Sequence, residues 1–217
     1  MVNMGEDYYE TLKVVYREYQ RVKKHLGRKP NRVEMFKYMD DNLYQKIRSN
    51  CKINIFRNYL GFLDKFGELH GEEKEVQNIA GDFLNMVEQT RMTKTYKIPI
   101  LKSFIRDNNI SLKCDEEDIY KSFKEFYNNP ENSLDMERHE KTKNFKKWSK
   151  WEYVKLAKEN PIKFLIKTEG KYFKIDDNYF CLTEQLKPVL DNNIFVDNYI
   201  DILEFRRLEY FRWHRLL

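Results

Sequence analysis

From Asp7 to Leu26 the apolar positions Tyr8, Leu12, Val15, Tyr16, Tyr19, Val22 and Leu26 recur at steps of three and four residues, which predicts a helix with one buried stripe. Lys13, Arg17, Arg21 and Lys24 follow at the same period, one position round. Gly27 ends this helix, and Pro30 opens a turn before a short one from Val33 to Met39. A further helix is predicted from Ile53 to Phe66, with Phe56, Tyr59, Leu60 and Leu63 inward. Glu72 to Thr90 repeats the pattern through Val76, Ile79, Phe83 and Met86. Pro99 is tolerated in the first turn of a helix that continues through Leu101, Phe104 and Ile105 to a stop at the Asp-Asn-Asn of 107–109. Asp115, Glu116, Glu117 and Asp118 then read as the start of a helix carrying Ile119, Phe123 and Phe126, because acids there offset the helix dipole.

The stretch NNPENSLDMERHEKTKN is the most polar interval and is expected to be a linker or mobile loop over 129–145. A helix from Trp151 to Glu159 follows, and Pro161 opens a short one. KYFKIDDNYFCL alternates around an Asp-Asp-Asn turn and predicts a β-hairpin. LTEQLKPVL gives a short helix, and NIFVDNYIDILEFRRLEYFRWHRLL a long closing one. Helix, short helix, two-stranded wing and helix, in that order, resemble a winged module. The expected fold class is mainly α: a bundle-like helical domain over 1–128, the polar linker, and a small α+β domain over 146–217 with the hairpin and the long C-terminal helix.

Composition adjusts this picture in few places. A chain of 217 residues with 15 Phe, 15 Tyr and three Trp can bury a core despite a mean hydropathy of -0.82. The net charge of +5 is too small to name a partner, so the distribution of basic groups must carry that argument. Cys51, Cys114 and Cys181 lie far apart without a CxxC pair, and are expected to be free thiols in a reducing compartment. The start MVNMGEDYYETL has neither a basic leader nor an apolar run, and no uncharged apolar segment could span a bilayer. A cytoplasmic protein without a membrane partner is expected.

Candidate chemistry is sparse. Glu169-Gly170-Lys171 matches the tail of an Asp…Glu-x-Lys nuclease pattern, but no aspartate precedes it on a paired strand at the usual separation. His25, His70, His139 and His214 show no metal-ligand spacing, and GxSxG, GxxxxGK and GxGxxG motifs are absent. No catalytic residue, metal ligand or cofactor is assigned.

The basic groups say more. Arg28, Lys29 and Arg32 continue the first helix's stripe into the turn beside Pro30, where they need not balance nearby acids. Arg91, Lys94, Lys97 and Lys102 surround a helix start, whose free N–H groups suit a phosphate. The third cluster is the densest: Lys141, Lys143, Lys146, Lys147 and Lys150 surround Trp148, which reads as an exposed contact for base stacking, whereas Trp151 opens the series Val154, Leu156, Ala157 and is assigned to the core. Arg206, Arg207, Arg212 and Arg215 stand among acids on an amphipathic end suited to a partner or another domain.

At RMTKTYKIPILKSF, EEDIYKSFKEFY and WSKWEYVKLAKENPIKFL, joined to DILEFRRLEYFRW, the segment from Thr90 to Leu217 resembles the C-terminal accessory region of bacterial superfamily 2 DEAD/DEAH-type helicases linked to restriction or mobile elements. The resemblance implies a helical attachment that helps a larger machine engage nucleic acid; the ATP-binding and helicase motifs themselves are absent. The leading expectation is a noncatalytic nucleic-acid-binding or helicase-accessory protein, with DNA as the polymer, acting within a helicase, nuclease or defence complex. Its alternatives are a protein-interaction factor acting on a nucleic-acid enzyme, and a metal-dependent nuclease whose carboxylates meet only in the fold.

Overall fold

The computed structural model describes residues 4–50 and 52–214, with side chains from 8 to 213 apart from 51. The chain forms two compact units, Met1–Gln89 and Thr90–Leu217.

The first unit is helical. Helix α1 (Met4–Leu26) buries Leu12, Val15, Tyr19 and Val22 along the predicted stripe, and Gly27 ends it at φ 70°, where a Cβ would be strained. Helix α2 (Arg32–Tyr38) starts at Asn31, whose side chain accepts from Glu34 N at 2.9 Å. Helix α3 (Asp41–Arg48), which the sequence reading did not include, is capped by Asp40 and turns Tyr44 and Ile47 inward. The helix predicted over 53–66 is split, because Asn58 ends a 3-10 turn (Ile55–Arg57) and then caps α4 (Tyr59–Lys65). Helix α5 (Glu72–Gln89) buries Val76, Ala80, Phe83, Leu84 and Val87, leaving Ile79 exposed, so its inward face lies one position round from the predicted one.

The second unit is α+β with two small sheets. Helix α6 (Lys97–Lys102) stops short of Ile105: Asp107 and Asn108 take φ values of 47° and 63° and turn the chain into a hairpin of β1 (Ile105–Arg106) and β2 (Asn109–Ile110). Strand β3 (Lys113–Cys114) leads to α7 (Glu116–Asn128), where Asp115 accepts from Glu117 N and Asp118 N at 2.8 and 2.9 Å. The acidic run is therefore the cap of a helix.

The interval 129–145 differs from the expected linker. It carries α8 (Pro130–Glu137), buries Asn132, Ser133, Asp135, Met136, Thr142 and Phe145, and lies inside the second unit, so the division falls at 89/90 instead. Four of these inward groups are polar and meet their hydrogen-bond partners only in the fold: Thr142 Oγ1 donates to Met136 O at 2.6 Å and Asn132 Nδ2 to Phe126 O at 2.8 Å.

Helix α9 (Lys150–Ala157), a π-type turn (Lys158–Ile162) holding Pro161, and α10 (Lys163–Glu169) follow without interruption. Strands β4 (Phe173–Asp176) and β5 (Tyr179–Leu182) form the predicted hairpin around Asp177 and Asn178, and β5 also pairs with β3, giving the order β3-β5-β4. Strand β3 thus extends the hairpin to a three-stranded antiparallel sheet, with α7 to α10 lying between β3 and β4 in the chain. A 3-10 turn (Glu184–Val189) and α11 (Asn193–His214) complete the unit, with Phe195, Tyr199, Ile202, Leu203 and Phe205 inward. Among the described residues no helix is long and apolar enough to cross a membrane.

Candidate nucleic-acid interface

The basic turn beside Pro30 is neutralised. Arg28 Nη1 donates to Glu34 at 2.9 Å, Lys29 Nζ to Glu73 at 2.5 Å and Arg32 Nε to Glu88 at 2.5 Å. Arg32 is 1 % exposed and lies against the Tyr59 ring, so it cannot reach a phosphate. Contrary to the sequence reading, all three have acid partners, two of them brought in by α5 from more than forty residues away. On α1, Lys13 and Arg21 pair with Glu10 and Glu18 at 2.8 Å.

Lys94 and Lys97 are half-buried instead of ringing an open helix start. Lys94 Nζ donates to Tyr96 OH at 3.2 Å and Lys97 Nζ to Thr90 Oγ1 at 2.7 Å. Burial pulls both ammonium groups below their ordinary range, against the opposing charges of Asp135 and Glu169 respectively. An anion does sit at this chain entry, but the protein supplies it: Asp135, 2 % exposed, accepts from Thr95 N and Thr95 Oγ1, both at 2.8 Å, and from Tyr210 OH at 2.6 Å. Burial first, then this hydrogen bond, raises the Tyr210 phenol far above its ordinary range.

In the third cluster Phe145 is buried and anchors the loop, with Lys143 paired to Glu140 at 2.7 Å, Lys146 to Glu137 at 2.8 Å and Lys150 to Glu117 at 2.9 Å. Lys147 is exposed and makes no ion pair with a described residue. The tryptophans are reversed from expectation. Trp148 is half-buried with its ring edge-on to Tyr153 at 5.6 Å, while Trp151 is 66 % exposed. The cause is helical phase. Tyr153, Val154 and Ala157 define the inward stripe, and a residue two before Tyr153 stands about 160° round the helix from it.

The outward face of α9 and α10 is the arrangement the sequence reading missed. Ser149 N and Oγ donate to Glu152 at 2.7 and 3.0 Å and fix the helix start, which puts Trp151 in the first turn and Lys155 one turn on. In an unbroken α-helix the eight residues from Lys155 to Lys163 would make about 2.2 turns and rotate Lys163 off this line. The π-type turn at Lys158–Ile162 takes up one residue more, which brings Lys163 and then Lys167 back beneath Lys155. Lys163 and Lys167 are exposed and make no ion pair with any described residue, and Phe164 between them is 46 % exposed. One sequence signal pointed there: three and four positions to either side of Lys167 stand Lys163, Phe164, Gly170 and Lys171, none of them an acid.

The remaining groups turn inward or balance. Arg206 is buried and donates to Thr90 O at 2.6 Å, and Arg207 pairs with Glu204 at 2.7 Å and Glu131 at 3.3 Å; Arg215 lies outside the described residues. Cys114 and Cys181 are free and buried, and burial pushes the Cys114 thiol up to about 12, away from nucleophilic chemistry; Cys51 lies outside the described residues. Among the described residues no three His, Cys, Asp or Glu side chains stand where they could hold a metal ion. No family model, curated protein or solved structure matches the chain.

Proposed function

We propose that the second unit binds nucleic acid, with DNA as its partner, through the outward face of α9 and α10, and that the chain serves as a noncatalytic accessory of a larger nucleic-acid-processing machine. The observation that carries this reading is the pair Lys163 and Lys167, exposed and without carboxylate partners among the described residues, beside exposed Phe164 on the helix that precedes the hairpin. A lysine with no internal acid can neutralise a phosphate without first breaking an ion pair. The accessory role rests on the resemblance of 90–217 to helicase attachments.

Binding to duplex DNA measured against salt tests the reading. The double variant Lys163→Ala, Lys167→Ala is expected to lower the slope of log affinity against log salt by about 2, one for each phosphate no longer neutralised. Arg28→Ala with Lys29→Ala is expected to leave the slope unchanged. An unchanged slope in the α10 variant would remove α10 as the binding face. A protein-interaction role is the second reading, favoured by the exposure of Trp151, Phe164 and Ile175 in the same unit, and it gains if the wild type binds neither duplex nor single strand at low salt.

A further inference from the structure

Trp151 is the most exposed of the large apolar side chains described, although a place to bury a tryptophan exists three residues away, where Trp148 packs on Tyr153. Its indole has a cation for a neighbour. Lys155 lays its ammonium 4.9 Å from the ring centroid and is steered by Glu159 at 3.9 Å. A cavity of about 560 Å³ opens beside the ring, with Val154 on its floor and Lys150, Lys158 and Glu116 at its edge. Lys150 and Lys158 pair in turn with Glu117 at 2.9 Å and Glu116 at 2.5 Å.

We infer that Trp151 is a stacking platform for an unpaired nucleobase, so that the nucleic acid taken by this unit contains single-stranded nucleotides. The inference deepens the reading of α9 and α10 as the nucleic-acid face and rests on it. Away from the ends of a duplex both faces of every base are covered by its neighbours, so along its length a surface indole can stack only on a base that has left the helix or lies in a single strand. Stacking is indifferent to base identity because every base has a π-face, which gives a sequence-tolerant contact. Lys163 and Lys167 lie about 18 and 24 Å further along the helix axis, at about 1.5 Å per residue, so a strand stacked on Trp151 must run along the helix to meet both. The cavity's carboxylates are answered by its own lysines, Glu116 by Lys158 and Glu159 by Lys155, so the open indole is the contact it offers to a base.

The experiment uses the full chain with a labelled oligothymidylate single strand and a blunt duplex at low salt, read by fluorescence anisotropy, for wild type, Trp151→Ala, Trp151→Phe and Lys163→Ala, Lys167→Ala. Trp151→Ala is expected to weaken single-strand binding by about 5- to 150-fold, to leave the blunt duplex unchanged and to melt as wild type does, since an exposed ring contributes little to the core. Trp151→Phe should recover most of the loss. Single-strand affinity unchanged in Trp151→Ala, or an equal loss on both substrates, overturns the stacking role; if the lysine variant still weakens binding, the phosphate face stands without it. Wild type binding to neither substrate overturns the face and the platform together.

Discussion

Glu88 and Glu68 in the first unit and Asp135 in the second are buried in different company. In the first, Glu88 is met by the guanidinium of Arg32, and Glu68 by Lys23 at 2.6 Å together with the hydroxyls of Tyr16 and Tyr19. In the second, Asp135 is met by a backbone N–H and by the hydroxyls of Thr95 and Tyr210, with Tyr127 OH 2.9 Å behind Thr95. A basic residue that answers a carboxylate is spent internally whichever unit it lies in, as Arg32 is by Glu88 in the first and Arg207 by Glu204 in the second. This is why the basic turn at Arg28, Lys29 and Arg32 holds three paired cations, although it looks as basic in sequence as the lysines that stay outside in the second unit. Counting basic residues thus says less than finding each one's acid.

The largest expected effect breaks the comparison at its firmest point. Arg32→Ala takes from buried Glu88 the guanidinium 2.5 Å away, leaving Arg57 as the cation beside it, which should cost about 3–5 kcal/mol of unfolding free energy. Replacing both partners, Arg32→Met with Glu88→Leu, should recover most of that loss, because no uncompensated charge remains. Denaturant unfolding of the two variants measures the difference. If Arg32→Ala keeps its stability but loses nucleic-acid binding, then Arg32 serves the surface after all, and the contrast between the units fails.

A smaller effect is expected at Asp135, whose partners are neutral. Asp135→Asn keeps the shape but exchanges one acceptor oxygen for a donor, and the hydrogen bonds to the charged carboxylate that it weakens should cost about 1.5–3 kcal/mol. A loss as large as that of Arg32→Ala would mean that a cation contributes to Asp135 as well, with half-buried Lys94 the nearest candidate. Affinity for nucleic acid should stay at the wild-type level, since Asp135 is 2 % exposed.

What the sequence disclosed follows from how far each signal reaches. The stripe of α1, the cap at Asp115 and the turn at Asp177 and Asn178 depend on neighbours within a few residues, and all three stand in the structure. The α8 interval could not be read this way. Its buried Asp135 takes hydrogen bonds from residues 40 and 75 positions away, and polar inward groups leave no apolar period to count. The same distance hid the partners of Lys29 and Arg32, which α5 supplies. Trp151 is misplaced for a local reason, because an apolar series counted from the tryptophan has a different phase from one counted from Tyr153, the first buried residue of α9. The lysines of α10 were within reach of the sequence, since no acid stands near Lys167 on its helical face, but their alignment with Lys155 depends on a π-type turn that a uniform helical period does not foresee.

The smallest effect sharpens the comparison through pH. Burial alone would raise the Glu68 carboxyl, but hydrogen bonds from Lys23, Tyr16 and Tyr19 outweigh it and hold the group below its ordinary value of 4.5. A carboxyl lowered on folding contributes stability that is fully present above the unfolded value and is lost as pH falls through the folded one. Lys23 is 39 % exposed, so water screens the pair, and Glu68→Gln should cost only about 0.5–1 kcal/mol at neutral pH. That difference should shrink as pH drops below 4.5 and vanish once the wild-type carboxyl is itself protonated. Urea unfolding of both proteins along an acid series gives the result directly. A gap that persists unchanged into acid would assign the loss to the shape of the side chain instead of its charge, and Glu68 would then resemble Asp135 in depending on hydroxyl partners.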